Sequence, residues 1–172
     1  MITLILGGVR AGKSRFAEKL ASEKNLCVVY VATATPTDDE MSLRIKNHRE
    51  KRNRNWITIE EPISISGIIE NNNHDKCIIV DCLTLWMTNL LLAPDDNRLD
   101  EEKKGLMHCL KKTKSHVFLV SNETNSGVIP IDPLSRRFCD EIGFLHQQIA
   151  NISDNVILMV AGLPHIIKGT NR

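Results

Sequence analysis

The stretch GGVRAGKS, from Gly7 to Ser14, follows directly on the run ITLIL and precedes SRFAEKLASEK. Gly7, Gly12, Lys13 and Ser14 fit the pattern G-x-x-x-x-G-K-[ST], in the setting that pattern requires: a buried strand before it and a helical repeat after it. The physical reason is local. Glycine lets the backbone curl, so that successive N–H groups across Gly7, Gly8, Val9, Arg10, Ala11, Gly12, Lys13 and Ser14 turn toward one point, and the start of the helix adds its positive end. Lys13 then counters phosphate charge and the Ser14 hydroxyl is a ligand for Mg²⁺. A strand, a phosphate loop and a helix in that order commit the chain to an α/β architecture.

The remaining apolar segments agree. CVVYVA (27–32), CIIVD (77–81), VFLVS (117–121) and VILMVAG (156–162) are short, nearly continuous apolar runs, as strands covered on both faces require. A helix is predicted over 133–152, where Leu134, Phe138, Ile142, Leu145, Ile149 and Ile152 recur at three- and four-residue spacing. Strands alternating with helices predict a P-loop NTPase-like fold, a mostly parallel central sheet flanked by helices. With 172 residues, one domain over 1–172 is expected. NNNHDK (71–76) and APDDNRLDEEKK (93–104) read as surface breaks within it.

Composition narrows the function classes. The chain is 42% hydrophobic and 25% charged, and no apolar run reaches the roughly 18 residues of a membrane span, so a soluble protein is expected. Met1 leads straight into the first strand without a basic or amphipathic leader, which predicts a cytoplasmic location. A net charge of +1 leaves no global basic footprint for nucleic acid. The five cysteines, Cys27, Cys77, Cys82, Cys109 and Cys139, form no CxxC pair and are expected to be buried free thiols.

Two further places carry chemistry. Asp81 ends the CIIVD run, where a carboxylate can complete a magnesium site with Ser14; an aspartate there is equally a cap for the helix that follows. TDDE (37–40) is a capping box with Thr37 at the cap, predicting a helix toward Arg54 whose inner edge is Met41 and Ile45. On that helix Arg44, His48 and Arg52 share one stripe. Six cations (Arg44, Lys46, Arg49, Lys51, Arg52, Arg54) stand against one acid, Glu50. Three readings fit: a solvated basic face, a nucleic-acid contact, or a helix that holds nucleotide phosphates and offers an imidazole as nucleophile.

The segments GGVRAGKSRFAE, VYVATA, DDEMSLRIKNHREKR, EEP, IIVDCLTLWMTNLL, VSNETNSGVIP and RRFCDEIGFLHQQIA, in that order, resemble the bifunctional adenosylcobinamide kinase / adenosylcobinamide-phosphate guanylyltransferase family of cobalamin biosynthesis. The resemblance runs from Met1 to about Lys168. It implies phosphorylation of adenosylcobinamide with ATP or GTP, then transfer of GMP from GTP to adenosylcobinamide phosphate through a guanylylated histidine, with release of pyrophosphate. His48 matches that histidine. The resemblance also places Thr33, Ala34 and Thr35, the run Arg49, Glu50, Lys51 and Arg52, and the acids Glu60 and Asp81 around the nucleotide. It implies Mg²⁺, no nucleic-acid partner, and a homo-oligomer, a trimer with the site between subunits.

Departures from the family pattern are Asn47, where a histidine often precedes the nucleophile, His146 in place of a usual asparagine, and NETNSG in place of NEVGxG. Glu61 beside Glu60 leaves two candidate acids. His74, His108, His116 and His165 read as surface or packing residues, the last near a frayed end. Trp56 and Trp86 read as core or rim aromatics, and Asn122 and Glu123 as substrate-side candidates at a strand end. The rival readings are another small-molecule P-loop kinase with an inert His48, and a P-loop binding switch whose basic helix contacts nucleic acid.

Overall fold

The computed structural model describes residues 1–36, 38–95 and 97–170. Seven strands form one sheet: β1 (Ile2–Gly7), β2 (Cys27–Ala32), β3 (Ile57–Glu60), β4 (Lys76–Asp81), β5 (His116–Val120), β6 (Asn155–Val160) and β7 (Leu163–Lys168), in the spatial order β3-β2-β4-β5-β1-β6-β7. Every pairing is parallel except β6 with β7. The mostly parallel α/β sheet expected from the alternation of apolar runs is therefore present, with its five strands in place.

Each central strand divides its side chains between two apolar layers. Leu4, Val29, Val31, Ile78, Val80, Val117 and Leu119 pack under α3 (Ile65–Asn71), α4 (Leu83–Leu91), α5 (Arg98–Lys112) and α6 (Pro133–Ile152). Ile5, Val28, Tyr30, Cys77, Ile79, Phe118 and Val120 pack on the other face, against Ala17 and Ala21 of α1 (Lys13–Ser22). Both faces are covered, so the strands lack the polar alternation of a half-exposed sheet. The C-terminal ends of β1, β2, β4 and β5 meet along one edge, which is where ligands sit in open α/β sheets.

Several expectations need correction. β3 is too short and too polar to stand out in the sequence, and all four of its residues are at best half-buried. β7 is an exposed antiparallel edge strand that holds His165 in the sheet rather than at a frayed end. The segment 93–104 is only partly a break, because α5 begins at Arg98 with Asp100 and Glu101 in its first turn. Cys77, Cys82 and Cys109 are buried free thiols, whereas Cys27 is exposed and Cys139 half-buried. Among the described residues, no helix is long and apolar enough to cross a membrane.

The basic helix, α2 (Asp39–Lys51), differs from the others in having no buried residue among those described; Met41 and Ile45 are its half-buried edge. Thr37, expected at its cap, lies outside the described residues, as does the side chain of Lys51. Asp38 is the N-cap, accepting the Met41 N–H at 2.7 Å. The helix stops at Lys51, short of Arg54, because Arg52 turns to extended backbone.

Candidate active site

The phosphate loop is fastened from three sides. Gly7 sits at φ 150°, and a Cβ there would meet the Met159 carbonyl oxygen at 2.5 Å, so only glycine fits between β1 and β6. The Gly7 carbonyl accepts the Glu123 N–H at 3.0 Å, and the Ala11 carbonyl accepts the Gly162 N–H at 3.2 Å. Arg10 takes a left-handed conformation at φ 58° and Gly12 another at φ 93°, which turns the chain into α1. Gly8, Val9 and Arg10 are exposed at the rim, Ala11, Gly12 and Ser14 half-buried. Lys13 is buried, and its Nζ donates to the Gly8 carbonyl at 2.7 Å. Burial lowers its pKa, against the opposing fields of Cys82 and Asp81.

Asp81 is half-buried at the end of β4. It does not cap the next helix: Cys82 is the N-cap of α4, its Sγ accepting the Leu85 N–H. Instead one Asp81 oxygen, Oδ2, accepts the hydroxyl of Tyr30. Thr33 is fully buried, donating to the Cys82 carbonyl at 2.7 Å and accepting the Cys82 N–H at 2.8 Å. Its hydroxyl is thus committed to joining the ends of β2 and β4. Thr35 donates to Asn89 Oδ1 at 3.1 Å, while Asn89 Nδ2 donates to the carbonyls of Thr33 (2.8 Å) and Pro62 (3.0 Å). Asn89 was silent in the sequence, since an asparagine in a mostly apolar helix has no motif. Ala34 lies half-buried between these two threonines.

Arg44 and His48 lie four residues apart on α2, and Arg52 is its C-cap. Arg44 bonds back to Glu40 at 2.5 Å, and Arg49 lies 3.4 Å from Glu60. Arg52, beyond the helix end, places its guanidinium carbon 4.3 Å from the centroid of the Tyr30 ring. His48 and Glu50 are exposed. The two candidate acids separate: Glu61 Oε1 accepts the N–H groups of Ile63 and Ser64 at 2.8 and 2.9 Å and so is spent on a turn, leaving Glu60 facing α2. Glu18, one turn into α1 from Ser14, is held above the ordinary carboxylate range by burial and by Asp81, while His48 and Arg52 pull it down. The open face of α2 and the phosphate-loop helix therefore share one electrostatic neighbourhood.

The donor set suits magnesium. Ser14 and Asp81 offer hard oxygens beside the loop, and among the described residues no cluster of three His, Cys, Asp or Glu side chains makes an all-protein cage. One hydroxyl and one carboxylate are donors of the kind that Mg²⁺ takes alongside substrate phosphates.

Behind the substrate-side candidates lies a buried polar chain. His146 Nε2 is 2.7 Å from Ser121 Oγ, which is 3.4 Å from Thr84 Oγ1, and Thr84 accepts the Asn122 N–H at 2.8 Å. Trp86 is buried, its Nε1 donating to the Ile63 carbonyl at 2.5 Å, while Trp56 stacks on Tyr30 with centroids 6.5 Å apart.

A family model described as cobinamide kinase / cobinamide phosphate guanyltransferase matches residues 3–167. The chain is 50% identical to the bifunctional adenosylcobalamin biosynthesis protein CobP of Pseudomonas aeruginosa over 170 residues, 98% of each protein. It is 34% identical to the bifunctional adenosylcobalamin biosynthesis protein CobU of Escherichia coli K12 over 182 aligned residues, covering 98% of this chain and 100% of that one. In fold it is similar to a RadB recombinase, at a TM-score of 0.50 and 14% identity over 91% of this chain and 73% of that one. With a phosphate loop at the edge of a parallel sheet and this match along nearly its whole length, the chain belongs to the cobinamide kinase / cobinamide phosphate guanyltransferase family.

Proposed function

We propose that this chain carries out both reactions of its family at the C-terminal edge of the sheet, with the phosphate loop serving the kinase step and α2 the guanylyl transfer. The observation that carries the division is the approach of α2 to that edge: Arg52 packs on Tyr30, whose hydroxyl bonds Asp81, and Glu18 feels both His48 and Arg52. A merely solvated basic face has no reason to dock Arg52 there.

In the kinase step the backbone N–H groups from Gly8 to Ser14 hold the β- and γ-phosphates, and Lys13 gives up the Gly8 carbonyl to meet them. The terminal hydroxyl oxygen of adenosylcobinamide attacks the γ-phosphorus of ATP or GTP, its proton is lost, and the bond to the β–γ bridging oxygen breaks to release the nucleoside diphosphate. Mg²⁺ held by Ser14 and Asp81 supplies charge neutralisation at those phosphates. In the second reaction a ring nitrogen of His48 attacks the α-phosphorus of GTP and pyrophosphate leaves with the α–β bridging oxygen. A phosphate oxygen of adenosylcobinamide phosphate then attacks the same phosphorus, the P–N bond breaks, and adenosylcobinamide-GDP forms with His48 restored. Arg49, Glu50, Arg52 and Glu60 line the nucleotide side, with Thr33, Ala34 and Thr35 at the end of β2 shaping its floor. This reading includes a cytoplasmic homo-oligomer, of trimeric form, that takes no nucleic acid.

α-Labelled GTP with Mg²⁺ and no corrinoid tests it. Wild-type protein is expected to retain label in an acid-labile, base-stable P–N bond, and His48→Ala to take none while still phosphorylating adenosylcobinamide. Label on His48→Ala at the wild-type level overturns the assignment of the nucleophile.

A further inference from the structure

We propose that Tyr30 is a positioning residue that serves both reactions at once, its hydroxyl fixing Asp81 and its ring seating Arg52. The inference rests on the roles given above to Asp81 and Arg52.

Tyr30 is wholly buried in the middle of β2, on the α1 side of the sheet. Packing alone would be met there by phenylalanine. The hydroxyl has a specific use, since it donates to Asp81 Oδ2, and a carboxylate held through one oxygen presents its other lone pairs in a fixed direction.

The ring has a second use. The segment joining α2 to β3 folds over it: Arg52 lies 4.3 Å from its centroid, the Trp56 N–H returns to the Asn53 carbonyl at 3.1 Å, and Trp56 stacks at an interplanar angle of 21°. Arg52 Nε is buried and has no hydrogen-bond partner among the described residues. A guanidinium seated on an aromatic face rather than on a carboxylate keeps its donors for an incoming anion. Among its described side chains α2 buries none, and this seat, together with the Arg49–Glu60 contact at 3.4 Å, joins its C-terminal end to the sheet.

Two substitutions separate the two uses. Tyr30→Phe keeps the ring and loses the hydroxyl; Tyr30→Leu loses both. Mn²⁺ is titrated into each full-length variant, saturated with the β,γ-imido analogue of ATP, and free Mn²⁺ is read by its electron paramagnetic resonance signal. Uptake of α-label from GTP is measured in parallel at saturating metal. Tyr30→Phe is expected to bind Mn²⁺ about tenfold more weakly, yet to take α-label within about twofold of wild type once metal saturates, because the seat survives. Tyr30→Leu is expected to lose both, with label uptake reduced to the level of Arg52→Ala. If Tyr30→Phe binds Mn²⁺ like wild type while Asp81→Asn does not, the role of Tyr30 is overturned and that of Asp81 stands. If Asp81→Asn also binds like wild type, the assignment of Asp81 fails first and the proposal with it. Equal loss of both readouts in Tyr30→Phe, accompanied by a lower unfolding temperature, makes Tyr30 a packing residue only.

Discussion

The Glu123 N–H donates to the Gly7 carbonyl at 3.0 Å, tying the segment after β5 to the first glycine of the phosphate loop. On the other side Gly7 abuts Met159, whose carbonyl leaves no room for a Cβ. Gly7→Ala is therefore expected to lower stability by about 1–3 kcal/mol through backbone strain. Gly8→Ala is the control, since nothing lies within 4 Å of a Cβ there and its φ is ordinary. Equal denaturation midpoints for the two variants would count against the clamp on Gly7.

Lys13 rests on the Gly8 carbonyl at 2.7 Å with its charge disfavoured by burial, a state that a bound phosphate relieves. Among the loop residues Gly7 to Ser14 the other cation, Arg10, is exposed at the rim. Lys13→Ala is expected to reduce phosphorylation of adenosylcobinamide by on the order of a hundredfold or more. Steady-state turnover measures this, and a loss of less than about tenfold would remove the lysine from the transferring phosphoryl group.

The legible parts of the fold were those where a single local rule decides. Ile2 to Ser14 announce strand, loop and helix together, and the 3.6-residue repeat from Pro133 to Ile152 coincides with α6 at both ends. β3 and β7 were not legible, because an edge strand's pairing comes from its neighbour rather than from its own apolar content. Motifs and the family resemblance named candidate residues, but spacing along the chain did not show their contacts. Thr33 is consumed by the Cys82 backbone, Glu61 by a turn, and Arg44 by Glu40, none of which spacing along the chain reveals. Asp81 posed the reverse problem: cap and metal ligand look alike in sequence, and the N-cap role of Cys82 removes the first of these readings.

The cysteines are predicted to react in an order set by exposure. All five are free, so thiol counting under denaturing, non-reducing conditions should give five. In the native state Cys27 should be modified first, Cys139 next, and Cys82 last with Cys77 and Cys109. Burial pushes the latter two thiols up to about 12, which leaves almost no thiolate near neutral pH. Mass spectrometry after timed alkylation gives the order, and early modification of Cys77 or Cys109 would mean that the layers beside β4 or α5 open readily.

His146 makes folding depend on pH, and the sign follows from its burial. Desolvation lowers its pKa below the ordinary value of 6.5, with Glu123 opposing. The unfolded chain therefore binds the proton more readily than the folded one, and the histidine's contribution is complete above 6.5 and lost as the pH falls through that value toward the depressed folded pKa. Protonation would also set a charge beside Ser121 Oγ, 2.7 Å away, in a chain that runs through Thr84 to the Asn122 N–H and so to the segment leading to Glu123 and Gly7. His116 is shifted in the same direction, chiefly by burial, so the wild-type profile alone does not isolate His146. The comparison with His146→Asn does. Unfolding free energy from urea titrations at about pH 7.5 and about pH 5.5 should fall more steeply in wild type than in the variant, which lacks the titrating ring. At the higher pH the variant should be less stable by about 1–2 kcal/mol, the cost of disturbing one buried hydrogen bond. Parallel slopes in the two proteins would show that His146 is not the buried neutral imidazole this geometry requires.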